Sequence, residues 1–325
     1  MDTTGNTTTQ PPAGLHPDGA TRFTLLGPVR AWRSGVELAI GSRQQRTVLA
    51  LLLLREGRLI TTDELVDALW GEEPPRAAAT TIRTYISRLR RILVSFSGAD
   101  APRITSLGGG YQLRTPPPTI DLWHFQEHAA AARHAARRGD YDTAALRLRS
   151  ALDLDRGRPL TGASGPAIET QRDRLSNLLS AAAEEQLSVD IARGRHGEAI
   201  PELITLVARH PFREQLRELL ILALYRCGRQ AEALAQFQTA RRVLGEELGI
   251  EPGPGLCRLQ GRILTGDRDL LGNGGYREAP EPAARWSPSA AGDVHDLRLG
   301  EGEQTFLAVL DADPTPLASA VRNVR

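Results

Sequence analysis

Residues 80–93 read TTIRTYISRLRRIL, four arginines and five hydroxyl side chains with no acid among them. A guanidinium offers planar, paired donors that match phosphate oxygens and guanine edges. Short hydroxyls touch phosphates, and a threonine methyl can meet thymine. The chemistry available here is recognition of a polyanion. At about 100° per residue, Ile82, Ile86, Leu89 and Leu93 share one narrow stripe, which predicts a helix packed on a core. The opposite face then carries Thr80, Thr81, Thr84, Ser87, Arg88 and Arg91. Arg83 and Arg90 lie on one flank and Tyr85 on the other. Surface helices ordinarily interleave both signs of charge, so an acid-free face suggests a negatively charged partner. The plainer alternative is a solvated basic face. All 40 Lys+Arg residues are arginine, so number alone decides nothing.

Other residues with chemical potential are weaker. HFQEH at 124–128 matches H-x-x-E-H, which puts His124 and His128 on one helix face, but no third ligand is in view, so no metal site is expected. Cys227 and Cys257 lack metal-type spacing, and so few cysteines suit a reducing cytoplasm. No G-x-x-x-x-G-K phosphate loop occurs, so neither an ATPase module nor any cofactor is expected. The chain reads as a non-enzyme.

The elements around the basic stretch can be placed. The chain has 325 residues with hydrophobic and charged shares of 41% and 24%, enough for two globular domains. Residues 21–114 hold 14 arginines against 8 acids, residues 115–270 hold 21 of each, and residues 271–325 hold 5 against 8. The positive field therefore sits in the N-terminal domain. Residues 1–20 read as a disordered arm without a secretory h-region. RFTLLGPVRAWRSGVELAIGS gives three short strands around turn dipeptides, an antiparallel sheet. Two helices follow, one capped by Ser42 and one by Thr61 or Thr62, the second ending at Gly71. The loop GEEPPR leads into the basic helix, and RITSLGGGYQL forms a hairpin with a glycine tip. That order is a winged helix-turn-helix, whose third helix enters the major groove.

TPPPT at 115–119 reads as a stiff linker. Residues 120–266 read as helical, Ala/Leu-rich repeats. GRHGEAI at 194–200 and GRQAEAL at 228–234 lie 34 residues apart, the tetratricopeptide period, and GDYDTAA at 139–145 is a looser copy out of phase. Ala144, Ala199 and Ala233 predict close helix packing. Residues 267–325 read as a mostly disordered tail, with TFLAVL at 305–310 a short apolar element inside it. The fold class expected is mainly α with a small β component.

The run SRQQRTVLALLLLREGRLITTDELVDALWGEEPPRAAATTIRTYISRLRRIL, together with LYRCGRQAEALAQFQTARRVLGEELGIEPGP, resembles the Streptomyces antibiotic regulatory protein family over about residues 22–265. That family joins an OmpR-type winged helix to a bacterial transcriptional activation domain. The resemblance implies a cytoplasmic, nucleoid-associated activator that binds direct repeats of double-stranded promoter DNA. It implies self-association on DNA, contact with RNA polymerase and its sigma factor, and control of secondary-metabolite genes, with no membrane partner. Carried over by position, Thr84 and Arg88 read bases. Thr80, Thr81 and Tyr85 hold phosphates, with Arg91 on the backbone and Ser87 and Arg90 completing the DNA-facing set. Trp70 either reaches a phosphate through its indole or packs in the core. Glu72, Glu73, Pro74 and Pro75 match the loop that touches polymerase. Leu107 stands where such wings place an arginine, so the wing is left with Thr105 and glycine amides for phosphate. No receiver domain is expected ahead of the helices. A scaffold role, in which the N-terminal domain merely caps the repeats, is the rival reading.

Overall fold

The computed structural model describes residues 21–94, 101–116 and 119–272. The N-terminal arm, the last 53 residues and TFLAVL lie outside the described residues. The first sheet is antiparallel in the order β1 (Thr21–Thr24), β2 (Arg30–Arg33) and β3 (Val36–Glu37), with Phe23 opposite Ala31 and Trp32 opposite Glu37. α1 (Arg43–Leu54) starts at a complete capping box, in which Ser42 and Gln45 satisfy each other's backbone N–H. α2 (Thr62–Trp70) repeats the device with Thr61 and Glu64. Thr61 rather than Thr62 is therefore the cap.

α3 (Ala78–Val94) begins one half-turn earlier than its basic run. The wing is β5 (Arg103–Leu107) against β6 (Gly110–Arg114), turning through Gly108 and Gly109, both at positive φ. A two-residue strand that the periodicity does not reveal, β4 (Ile60–Thr61), pairs with β6 and makes the wing three-stranded.

Helical pairs follow: α4 (Asp121–Arg137) with α5 (Tyr141–Leu152), α6 (Pro166–Ala192) with α7 (His196–Arg209), and α8 (Glu214–Arg226) with α9 (Gln230–Leu248). α10 (Pro254–Leu264) and a 3-10 turn at Arg268–Leu270 close the described chain. The three sequence repeats fall at the turns inside these pairs, where Gly139, Gly194 and Gly228 take positive φ. Ala144, Ala199 and Ala233 are buried at the start of each second helix. The first copy is out of phase because α6 is 27 residues long and is preceded by a segment, 153–165, that belongs to no helix. Arg226 donates to the carbonyls of Leu270 and Gly272, so the ordered fold runs past residue 266.

Hydrophobic side chains from the first sheet through α6 form one cluster, and the remaining helices form a second that meets it along α6. Between them two glutamates are buried on α6, Glu185 facing Arg133 at 3.4 Å and Glu184 facing Arg213. A buried glutamate persists only with such a partner.

The segment 153–165 packs on the bend after β1. Arg156, Leu160 and Thr161 donate N–H groups to the carbonyls of Leu26, Leu25 and Gly27, and Val29 donates to Thr161. The N–H groups of Leu25 and Leu26 go instead to the carboxylate of Asp121, at 2.9–3.0 Å, with Leu122 adding a third donor. Burial pushes the Asp121 carboxyl up to about 7, and the N–H donors pull the other way. Gly165, at φ 125, has no room for a side chain, since a Cβ there would lie 2.5 Å from the Ala68 carbonyl. The winged helix and the helical pairs are thus stitched backbone to backbone.

Asp121→Ala would leave three donors buried without an acceptor. It is expected to destabilise the whole described chain by roughly 3 kcal/mol. A single thermal unfolding transition shifted several degrees down checks this.

Candidate nucleic-acid interface

α3 presents its two faces as its sequence predicts. Ile82, Ile86, Leu89 and Leu93 are at most 3% exposed. They fix the helix on α1 and α2, which share the same cluster. Thr80, Arg83, Thr84, Ser87, Arg88 and Arg91 are exposed. Arg83, placed on the flank by angle, is thus exposed, as Arg88 is.

Among the described residues, Arg83, Arg88 and Arg91 have no acid within ion-pair distance. Several arginines of the helical pairs are neutralised instead. Arg193 meets Asp142 and Asp190, Arg229 meets Glu232, Arg241 meets Glu251 and Arg242 meets Glu246, all at 2.6–3.2 Å. The same residue type is therefore deployed in two ways within one lysine-free chain, and three guanidiniums with no acid partner among the described residues share one face of α3.

The hydroxyls are less free than their exposure suggests. Thr84 donates to the Thr80 carbonyl and Thr81 to the Ala77 carbonyl, each at 3.0 Å. Phosphate oxygens only accept, so either hydroxyl must leave its carbonyl before it can donate outward. Tyr85 is half-buried, and its hydroxyl donates to the Gln44 side chain, which braces α3 on α1.

Arg90 points to the wing. Its Nε donates to the Ile104 carbonyl at 2.9 Å and its Nη2 to Ser106 Oγ at 2.7 Å, with the guanidinium 6.0 Å from the Tyr111 ring centroid. The opposite end of the wing is held by Thr62, whose N–H and hydroxyl both donate to the Gly109 carbonyl. Thr105 is exposed on β5, and Leu107 is 48% exposed at the tip. Trp70 is half-buried against the first cluster. Glu72, Glu73, Pro74 and Pro75 are all exposed in the turn between α2 and α3. Sequence reasoning missed β4, Thr62 and the wing-facing role of Arg90, because each depends on a partner distant in the chain.

His124 is buried, edge-on to Trp123, and His128 is half-buried with its imidazole pKa lowered by burial. Among the described residues no three His, Cys, Asp or Glu side chains converge as metal ligands. No helix among them is long and apolar enough to cross a membrane.

If Arg90 acts by setting the wing angle, Arg90→Ala is expected to weaken DNA binding about tenfold, roughly 1.4 kcal/mol, with the salt slope unchanged. Arg90→Lys, which keeps the charge but loses the forked donors, should behave alike. Titrations at several salt concentrations check both.

Residues 37–113 match the family described as "Transcriptional regulatory protein, C terminal", and residues 120–264 match "Bacterial transcriptional activator domain". Regulatory protein AfsR of Streptomyces coelicolor is 52% identical over 260 residues, 80% of this chain but 26% of AfsR, so the chain spans about a quarter of that relative's length. Regulatory protein DnrI of Streptomyces peucetius is 36% identical over 78% of this chain and 95% of its own length. The solved structure of Mycobacterium tuberculosis EmbR in complex with a low-affinity phosphopeptide superposes with a TM-score of 0.73 at 32% identity, covering 78% of this chain and 69% of that one. The acid-free α3 with its wing thus sits in an OmpR-type domain joined to an activator domain, and the chain belongs to the Streptomyces antibiotic regulatory protein family of transcriptional regulators.

Proposed function

We propose that the chain is a sequence-specific transcriptional activator of promoters for secondary-metabolite genes. The observation that supports this best is the α3 face on which Arg83, Arg88 and Arg91 stand exposed with no acid among the described residues within ion-pair distance. α3 enters the major groove, where Arg88 and Thr84 contact base edges. Thr80, Thr81, Ser87 and Arg91 contact phosphates beside them. The wing lies along the neighbouring backbone with Thr105 and the glycine amides, while Arg90 holds it to α3 and Tyr85 steadies α3 from behind. Trp70 serves the core more than the phosphates, since it packs on the first cluster.

Two protomers bind side by side on a direct repeat. Their half-sites are one helical turn apart, so both lie on one face of the DNA in the cytoplasmic nucleoid. The exposed acidic turn Glu72–Pro75 faces RNA polymerase and its sigma factor, because two carboxylates beside a phosphate backbone would be repelled. Support for the biological role comes from the kinship with DnrI and AfsR.

Arg88→Ala is expected to cost about 1–3 kcal/mol of operator binding and to relax base preference at one position. Arg91→Ala should weaken binding evenly across sequences and lower the salt slope by about one unit. Binding to a randomised DNA pool, followed by salt titration, separates the two. Unchanged binding of Arg88→Ala at moderate salt would favour the scaffold reading. Glu72→Ala/Glu73→Ala should retain DNA affinity and lose most promoter activation in a reconstituted transcription assay.

A further inference from the structure

A cleft of about 620 Å³ lies between the winged helix and the helical pairs, a size typical of small-molecule sites. One wall is α1, the turn after it, and α2. The other is the first part of α6. Its floor is apolar, with Leu51, Ile60 and Ala68 buried and Leu54 and Ala167 half-buried.

The charges at its rim are not evenly satisfied. Arg55 and Glu64 pair with each other at 2.7 Å, and Glu64 is held further by the Thr61 cap. Arg58 and Arg174 face the cleft from opposite walls, and neither has an acid within ion-pair distance among the described residues. The group on which both act is Glu56. That residue sits at φ 55 in the turn between α1 and β4, a left-handed conformation that a non-glycine residue keeps only under constraint. Burial pushes its carboxyl up to about 7 against the pull of Arg58 and Arg174, so near neutral pH it offers the two guanidiniums only a partial charge. The remaining acid of the rim, Asp67, is exposed on α2.

We propose that this cleft is a ligand site for a small amphiphilic anion. An acyl or aryl body rests on Leu51, Leu54, Ile60 and Ala167, and a carboxylate or sulfonate head group takes the forked donors of Arg58 and Arg174. The head group supplies the compact, fully ionised partner that Glu56 does not, and charge-assisted bonds to a guanidinium fork are the strong kind. One arginine belongs to the winged helix and the other to the helical part, so the bound anion bridges the two. α2 forms one wall and leads directly into the Glu72–Pro75 turn and α3. Any change the ligand makes in DNA affinity is matched by an equal change that DNA makes in ligand affinity.

The test uses the full chain and the fluorescent anion 1-anilinonaphthalene-8-sulfonate, with its uncharged counterpart N-phenyl-1-naphthylamine alongside. The wild-type chain is expected to bind the anion at one saturable site, and the uncharged dye at least tenfold more weakly. Arg58→Gln/Arg174→Gln changes only exposed side chains and should weaken anion binding at least tenfold. Gln171→Trp, on the α6 rim, should block the cleft and remove saturable binding. Both variants should retain the wild-type melting temperature within a few degrees. Absence of saturable binding to the wild type overturns the proposal. So does binding that both variants leave unchanged, or equal affinity for the two dyes.

Discussion

The carboxylate of Asp121 receives backbone N–H groups from Leu25 and Leu26, and the geometry of the rest of the molecule depends on that junction. The bend after β1 has no ladder partner for these groups, and Leu25 and Leu26 are fully buried. An unpaired donor there would carry its whole desolvation cost. Asp121 opens α4, so satisfying the bend also docks the first helical pair. Segment 153–165 completes the seam through Arg156, Leu160 and Thr161 and through a reciprocal bond between Thr47 and Ser164. Gly165 lets α6 approach the end of α2 at backbone distance. α3 is therefore held by its own leucine and isoleucine stripe and, one step removed, by the helical body. In the proposed function, choosing a DNA face also chooses where that body stands relative to polymerase.

Much of this fold was legible because it is written locally. Ser42 with Gln45 and Thr61 with Glu64 announce two helix starts by spacing alone. The 34-residue offset between the later repeats follows from α7 and α9 each opening after a left-handed glycine. The seam was not legible. Its bonds join residues about 95 to 135 positions apart, and main-chain donors and acceptors leave no trace in residue type. β4 escaped for a related reason, since two residues carry no periodicity. The first repeat departs from phase because the non-helical segment 153–165, which carries the seam, and the long α6 both lie between it and the second.

The site divides in the same way. The exposed face that carries Arg88 and Arg91 could be read from angle alone, a property of the helix itself. Arg90 and Tyr85 could not, because what they do is set by Ile104, Ser106 and Gln44, which the helix does not contain. Composition could not decide between a solvated and a binding surface. In the proposed function the binding reading rests on Arg83, Arg88 and Arg91, which share one exposed face of α3 with no acid among the described residues within ion-pair distance.

In the proposed function α3 reads base edges in the major groove, and both protomers lie on one face of the DNA. Methylation interference at guanine N7 on a bound promoter fragment tests it most directly, because N7 is accessible only in the major groove. Two short clusters of interfering guanines about ten base pairs apart are expected. Protection without any dependence on N7 methylation would contradict it.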